Sequence, residues 1–373
     1  MKAGWEVKTL GDVCEILDRL RKPITKRNRV SGPYPYYGAT GVLDHVEGYL
    51  FDEMLVLLGE DGAKWEPGAN SAFSIEGKTW VNNHAHVMRP NREVLNDNWL
   101  IYYLNFSDLM PFVSGMTVPK LNQGSLREIP IPLPPLAEQK RIVSILDEAF
   151  EGLDRARENA EANLKSAREL FDASLESTLD PGEKTGWELR TLGEVCSLLN
   201  GRAYKKPELL SHGKYPVLRV GNFFTNNNWY FSDLELPEDK YCDNGDLLYA
   251  WSASFGPRVW EGGKVIYHYH IWKVEPKAQQ IDKRYLYYFF DWDKERIKNE
   301  QGAGTTMIHV SKTSMDARKI TLPPLEEQKR IVFRLDKVSM EYNSLQVHYR
   351  TKLQDISDLR QSLLQKAFAG ELT

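Results

Sequence analysis

Two stretches of the chain place apolar residues in alternating steps of four and three. Ile142, Leu146, Ala149, Leu153, Ala156, Ala160, Asn163, Ala167, Leu170 and Ser174 form the first stripe. Ile331, Leu335, Val338, Tyr342, Leu345, Tyr349, Lys352, Ile356, Leu359 and Leu363 form the second. Neither 136–180 nor 325–373 contains a proline. A heptad alternation of this length predicts two long helices joined in a coiled coil. At 1.5 Å per residue each spans about 60 Å. The first stripe is thin and rich in alanine, whereas the second carries Tyr342 and Tyr349. Small opposite large packs well, so the helices are expected to pair with one another. Antiparallel pairing would set the start of each helix, with its globular neighbour, at opposite ends of a rod. The alternative is two separate amphipathic helices, each packed on its own module.

The remaining sequence has a different rhythm. Short aromatic and β-branched runs, such as Tyr49-Leu50-Phe51, Met54-Leu55-Val56-Leu57-Leu58-Gly59 and Lys264-Val265-Ile266-Tyr267, are punctuated by Gly, Pro and Asn. These predict many short strands. Asn98-Trp99-Leu100-Ile101-Tyr102-Tyr103-Leu104 and Lys283-Arg284-Tyr285-Leu286-Tyr287-Tyr288-Phe289-Phe290 read as helices, which makes the globular parts α+β. Ile129-Pro130-Ile131-Pro132-Leu133-Pro134-Pro135 cannot be helix interior and holds the chain extended. Asp180-Pro181-Gly182 stops the first long helix. The expected division is a globular part at 1–135, a helix at 136–180, a second globular part at 181–323 and a second helix at 324–373.

The two halves are copies. Trp5-Glu6-Val7-Lys8-Thr9-Leu10-Gly11-Asp12-Val13-Cys14 returns as Trp187-Glu188-Leu189-Arg190-Thr191-Leu192-Gly193-Glu194-Val195-Cys196. Ile131-Pro132-Leu133-Pro134-Pro135-Leu136-Ala137-Glu138-Gln139-Lys140-Arg141-Ile142-Val143 returns as Ile320-Thr321-Leu322-Pro323-Pro324-Leu325-Glu326-Glu327-Gln328-Lys329-Arg330-Ile331-Val332. The copies are too long for a solenoid unit and read as two whole modules. Matching ends around a divergent middle suggest one scaffold carrying two different readers.

Bulk composition narrows the class. The chain has 373 residues, 42% hydrophobic and 27% charged, which suits a folded protein with two or three cores. No apolar run is long enough for a membrane span, and the N-terminus lacks an apolar signal core, so a cytoplasmic location is expected. A net charge of −4 argues against a free-standing DNA binder; any nucleic-acid role must use local basic patches or a partner's charge. Cys14 and Cys196 sit at equivalent repeat positions in apolar surroundings and read as small core residues.

Two readers on a rigid spacer make a ruler for a linear polymer with two marks, and duplex DNA with two half-sites fits that description. The paired motifs at 133–143 and 322–332 resemble regions of type I restriction–modification DNA specificity subunits. So do the repeat heads at Trp5 and Trp187, Tyr34-Pro35-Tyr36-Tyr37-Gly38 with Gly59-Glu60-Asp61-Gly62-Ala63, and the tail Ala367-Phe368-Ala369-Gly370-Glu371-Leu372. The resemblance covers essentially the whole chain. It implies two pseudo-repeated α/β target-recognition domains separated by two long conserved helices that form an antiparallel coiled coil. It implies double-stranded DNA as a ligand. It also implies a methyltransferase subunit, usually in two copies, and a restriction/translocase subunit as partners. S-adenosylmethionine, ATP and Mg would then belong to those partners, and this chain would bind no cofactor itself. A chain on the short side for the family leaves spacer length open. The specificity component of a fused restriction–methylation system, and a coiled-coil scaffold that bridges proteins, are the other readings.

Several side chains are candidates for DNA contact. Arg19, Arg21, Lys22, Lys26, Arg27 and Arg29 make the densest basic run, and Arg202, Tyr204, Lys205 and Lys206 hold the equivalent place in the second half. Such loops suit phosphate contacts, although a merely solvated loop has the same composition. Thr117, Lys120 and Asn122 precede the first proline boundary, as Thr305, Thr306 and His309 precede the second. These reach phosphates or base edges, or else simply close the module. Lys64 and Arg258 follow related turns, and Asn222 lies near the cluster Asn226 to Asn228, where an adenine reader and an ordinary turn compete. His84-Ala85-His86 and His268-Tyr269-His270 place paired histidines at strand spacing, but no third ligand of matching placement is evident, so packing roles outweigh metal binding. No phosphate-binding Gly-x-x-x-x-Gly-Lys-(Ser/Thr) loop and no Asn-Pro-Pro-aromatic or Asp-Pro-Pro-aromatic segment of an amino-methyltransferase occurs, so the chain is not expected to be an enzyme alone.

Overall fold

The computed structural model describes residues 2, 4–180, 185–224, 226–252, 255–277, 280–300 and 310–372. These form two compact units, Met1–Glu161 with Arg350–Thr373, and Ala162–Tyr349. Each unit contains one globular part and a portion of both long helices, so the helices are shared rather than being separate domains.

Each globular part is closed by a two-stranded clasp. Glu6–Thr9 pairs antiparallel with Pro130–Leu133 in the first unit, and Glu188–Thr191 with Lys319–Leu322 in the second. Proline lacks the N–H for a second neighbour, so the proline-rich segment suits a strand with one partner. A helical turn follows each first strand, opened by a capping box between Thr9 and Asp12 and between Thr191 and Glu194.

The divergent middles share one topology. In the first unit a sheet runs Cys14–Ile16, Ala85–Pro90, Leu55–Gly59, Ala72–Ile75. Its counterpart runs Cys196–Asn200, Ile271–Pro276, Leu247–Ala250, Gly256–Val259. A second sheet orders Gly41–Val46, Tyr34–Gly38, Lys78–Val81, Phe51–Asp52, matched by Tyr230–Ser232, Tyr215–Leu218, Val265–Tyr267, Tyr241–Cys242. In both units the second and third strands of that sheet are parallel. The apolar strand Leu55–Gly59 is buried along its whole length, which explains its unbroken hydrophobic run. Helix Asp97–Phe106 covers the first sheet with Trp99, Leu100 and Leu104; helix Lys283–Glu300 does the same in the second unit with Tyr285, Leu286, Phe289 and Phe290.

A buried glutamine joins each globular part to its long helix. Gln139 accepts from the Asn96 N–H at 2.9 Å and donates to the carbonyls of Val94 and Pro134, both at 2.8 Å. Gln328 accepts from the Asp282 N–H at 2.8 Å and donates to Gln280 at 3.1 Å and Pro323 at 2.8 Å. Both side chains are fully buried, and their bonds to the Pro134 and Pro323 carbonyls are out of reach of water.

The long helices are Leu136–Leu179 and Leu325–Ala369. In the first unit, Ile142, Leu146 and Phe150 from the start of one share a core with Leu364 and Ala367 from the end of the other. Arg360 there bonds Asp154 at 2.8 Å and lies 4.1 Å over the Phe150 ring. In the second unit, Phe171, Leu175 and Leu179 meet Ile331 and Leu335. The pairing is therefore antiparallel. Tyr342 stacks on Phe171 at 5.0 Å, large against large, not against an alanine.

Strict heptad counting fails along both helices. Leu170, Leu345 and Leu359 are 67%, 41% and 50% exposed, and the adjoining Phe171, Gln346 and Arg360 turn inward instead. Leu153, Val338 and Leu363 are half-buried, and Ile356 is buried. The cause is the helix period: at 3.6 residues per turn, a seven-residue count falls behind by about 20° per heptad. The expected result is that Leu146→Ala costs about 3 kcal/mol by urea unfolding, whereas Leu170→Ala changes stability by less than about 0.5 kcal/mol. Equal losses would put Leu170 back in the seam.

Cys14, Cys196 and Cys242 are buried, unpaired thiols. Burial pushes Cys14 and Cys196 up to about 12, which leaves them protonated and inert. Among the described residues no helix is long and apolar enough to cross a membrane.

Candidate nucleic-acid interface

Four segments converge at one corner of the first unit. Strand Leu55–Gly59 ends in the turn at 60–63, and the Glu60 N–H donates to His84 O at 2.8 Å. The hairpin Val113–Ser114/Lys120–Leu121 joins through Leu121 N–H to Glu60 O at 2.9 Å and a bridge between Asp61 and Lys120. The basic loop joins through Lys22 N–H to Val81 O at 3.2 Å. Gly115, at φ +96°, lets the hairpin tip turn; a Cβ there would lie 2.4 Å from Val118 O.

The second unit makes corresponding connections. Trp251 N–H donates to His270 O at 3.0 Å, Val310 N–H to Trp251 O at 3.3 Å, and Arg202 N–H to Tyr267 O at 3.0 Å. Trp251 thus stands where Glu60 stands, Ser252 where Asp61 stands, His270 where His84 stands, and Arg202 where Lys22 stands.

The two corners are built from different chemistry. In the first, His86 is fully buried, with Nδ1 2.6 Å from Asp18 and Nε2 2.7 Å from Leu121 O. Each ring nitrogen therefore faces an acceptor, a carboxylate on one side and a carbonyl on the other. Arg21 contacts Glu60 at 2.5 Å, Ala85 O at 2.6 Å and Asp18 at 3.3 Å. Burial pushes the Asp18 carboxyl up, but His86, the Val87 N–H and Arg21 together hold it below its ordinary value. In the second unit Trp251 and Tyr249 stack on Trp272, at 5.7 and 6.0 Å. His268 is lowered to about 4 by burial, His270 and Arg219.

Asp18, Glu60 and His86 have ligand atoms within 4.8 Å of one another. The Arg21 guanidinium, together with Lys120 2.8 Å from Glu60, already balances that charge, so the cluster reads as an ion-pair network. His84, paired instead with Asp61, does not share it.

The candidate DNA contacts divide accordingly. Arg19, Lys22, Lys26, Arg27, Lys64, Thr117, Lys205, Lys206 and Arg258 are exposed. Arg21 is not available to a phosphate, because its donors serve the buried network. Arg29 is engaged by Ile24 O and Asp44 and lies 4.4 Å over Tyr36, and Arg202 grips Glu208 through two bonds of 2.9 and 2.8 Å. Asn122 caps the helix Gln123–Arg127. Asn222 closes its own turn through the carbonyls of Asn226 and Asn228, the ordinary-turn role. Arg258 also donates to Phe223 O, and Tyr204 is half-buried, its phenol pushed up by burial. Thr305, Thr306 and His309 lie outside the described residues. Composition gave no sign of Asp61 and His84 as a pair, or of the tie made by Gln139 and Gln328. The recurrence of Gln after Pro-Pro-Leu-x-Glu was the one available signal for the latter.

The duplication extends to known proteins. The family model for the Type I restriction modification DNA specificity domain matches residues 2–164 and again 184–350. The chain belongs to the type I restriction–modification specificity subunits. A putative type I restriction enzyme specificity subunit of Haemophilus influenzae is 32% identical over 351 residues, covering 91% of this chain and 89% of the relative. The MjaVIII specificity subunit of Methanocaldococcus jannaschii is 24% identical, covering 99% and 93%. Among solved structures, a chain from work on assembly and conformational transition of the type I R-M system matches with a TM-score of 0.77 at 21% identity, covering 100% of this chain and 99% of that one. The HsdS subunit of Thermoanaerobacter tengcongensis matches at 0.54 and 20% identity, covering 100% and 98%. Both structural likenesses speak to the fold. For a specificity subunit, the two sheet systems are the target-recognition domains and the antiparallel helices are the elements they share.

Proposed function

We propose that this specificity subunit reads a bipartite, asymmetric DNA site, one half-site per recognition domain, and carries methyltransferase and restriction subunits to it. The observation that supports this most directly is the corner made twice by the same backbone connections and filled with unlike side chains. A common scaffold with unlike surfaces is what two different half-sites require. The exposed cations Arg19, Lys22, Lys26 and Arg27 suit phosphates beside the first corner, and Lys205 and Lys206 beside the second. With a net charge of −4, most counterion release would come from the partners. In this reading the long helices set the gap. Two methyltransferase copies each act on an adenine flipped from the duplex, and S-adenosylmethionine, ATP and Mg are held by partners.

The test is co-expression with a cognate methyltransferase subunit, in a host without adenine methylation, and genome-wide mapping of modified adenines. The expected result is one gapped, asymmetric motif. Removing seven residues from each long helix should change the gap and leave both half-sites intact. A stable complex with an active methyltransferase but no motif would favour the bridging scaffold, and a changed half-site would sink the ruler.

A further inference from the structure

We infer that Asp61, held by His84, is a base-reading group of the first recognition domain, selecting adenine or cytosine on the strand it faces. This rests on the DNA-reading function proposed above. Asp61 lies in the turn at 60–63 and is part-exposed, its side chain 21% accessible beside a His84 side chain that is 51% accessible. One carboxylate oxygen meets His84 Nδ1, and the other lies 3.9 Å from the Lys120 ammonium. The backbone bridge to Lys120 and the Glu60 hydrogen bonds fix the turn on both sides. The buried ion pairs of Glu60 and Arg21 anchor it from beneath. The carboxylate is therefore held in place before any ligand arrives, which lowers the ordering cost of recognition.

The scaffold does not need an acid at this position. In the second unit Trp251 makes the two backbone bonds that Glu60 makes, and Ser252 follows it where Asp61 follows Glu60. Ser252 is buried, and among the described residues of that corner Tyr269 is exposed, 38% accessible in the turn between strands. The acid is thus a property of the first reader and not of the fold. Its surroundings limit what it can face. The loop beside it carries the exposed cations Arg19, Lys22, Lys26 and Arg27, which suit phosphates, whereas a carboxylate is repelled by them. An ionised carboxylate only accepts hydrogen bonds. In the major groove the donors are the amines of adenine N6 and cytosine N4, while guanine N7 and O6 and thymine O4 are acceptors that would repel it. Lys120 offsets the charge without covering the carboxylate, which stays 21% accessible.

The experiment maps adenine methylation by the co-expressed complex carrying wild-type chain, Asp61→Asn or Asp61→Ser. The amide nearly preserves shape and adds donors; serine is the residue the second unit accommodates at the matching position. In the wild type, one position of a single half-site is expected to be restricted to adenine or cytosine. In Asp61→Ser that position becomes degenerate, with guanine- and thymine-bearing sites rising at least about 10-fold relative to the preferred sites, the order of one good base contact, whereas Asp61→Asn, whose amide also pairs with adenine N6 and N7, keeps an adenine preference and loses a cytosine one. The other half-site stays unchanged. If either variant abolishes methylation, binding by the purified complex is measured on oligonucleotides carrying each base at each position. Loss of preference at one position supports the inference, and equal weakening on all bases overturns it. An unaltered motif in both variants also overturns it while leaving the DNA-reading function standing. Absence of any gapped motif with the wild-type chain would sink that function and this inference with it.

Discussion

Asp18→Asn is expected to destabilise the first unit by about 4 kcal/mol at pH 7, the scale for breaking a buried ion pair. The Asp18 side chain is almost wholly buried and accepts from His86 at 2.6 Å, the Val87 N–H at 2.9 Å and Gln123 at 3.3 Å, with Arg21 alongside at 3.3 Å. Removing its charge leaves the His86 ring and the Arg21 guanidinium short of an anion in a region with little water. The effect carries a pH signature. The folded-state carboxyl is held below its ordinary value, so its contribution is present above the unfolded pKa of about 4 and is lost as pH falls through the folded one. The gap between wild type and Asp18→Asn should therefore close below about pH 4. Asp293 in the second unit runs the other way. Burial raises its carboxyl despite Arg318, so its contribution is present at low pH and is lost as pH rises through the folded value. Calorimetry resolving the two units reads both trends. A shift below about 1 kcal/mol at pH 7, or a gap that persists undiminished to pH 3, would show that the network is not a paired unit.

Gln139→Leu is expected to cost about 4 kcal/mol in the first unit, and Gln328→Leu a similar amount in the second. Each replacement keeps the volume and strands three backbone groups, the proline carbonyl in a buried bond and one N–H and one carbonyl in part-buried ones, at about 1–3 kcal/mol apiece with the part-buried groups at the low end. Because the bonded segments belong to the same unit in each case, each variant should lower its own unit's transition and leave the other's in place. Equal lowering of both transitions by one variant would mean that the units unfold together. A loss under about 1 kcal/mol would mean that water replaces the amide.

The periodic features were legible early because they are local. Proline without an N–H had to mark the boundaries at 130–135 and 323–324, and forty-odd residues of apolar stepping had to be helix. The likeness of the ends at Trp5 and Trp187 foretold two modules, and identical sheet topology extends that likeness through middles whose residues differ. The stripe was legible only in outline. Phe171 replaces Leu170 at the seam because side-chain direction accumulates with the helix period, and counting by seven cannot follow it.

The basic run at 19–29 shows the same division. Its charge was plain from the sequence, but the fate of each charge was not. Arg21 lies between Asp18, a near neighbour in sequence, and Glu60, on a strand end far along the chain, while Lys22 beside it stays in solvent. Composition records that a guanidinium exists; only the approach of distant strands decides whether it meets a carboxylate or water. By itself the sequence determined the duplication, the long helices and the family. The tertiary structure alone decided which cations remain exposed, that one corner is ionic and the other aromatic, and that Asp61 stands beside His84. Those outcomes depend on contacts between residues far apart in the chain, to which local periodicity and residue propensity are blind.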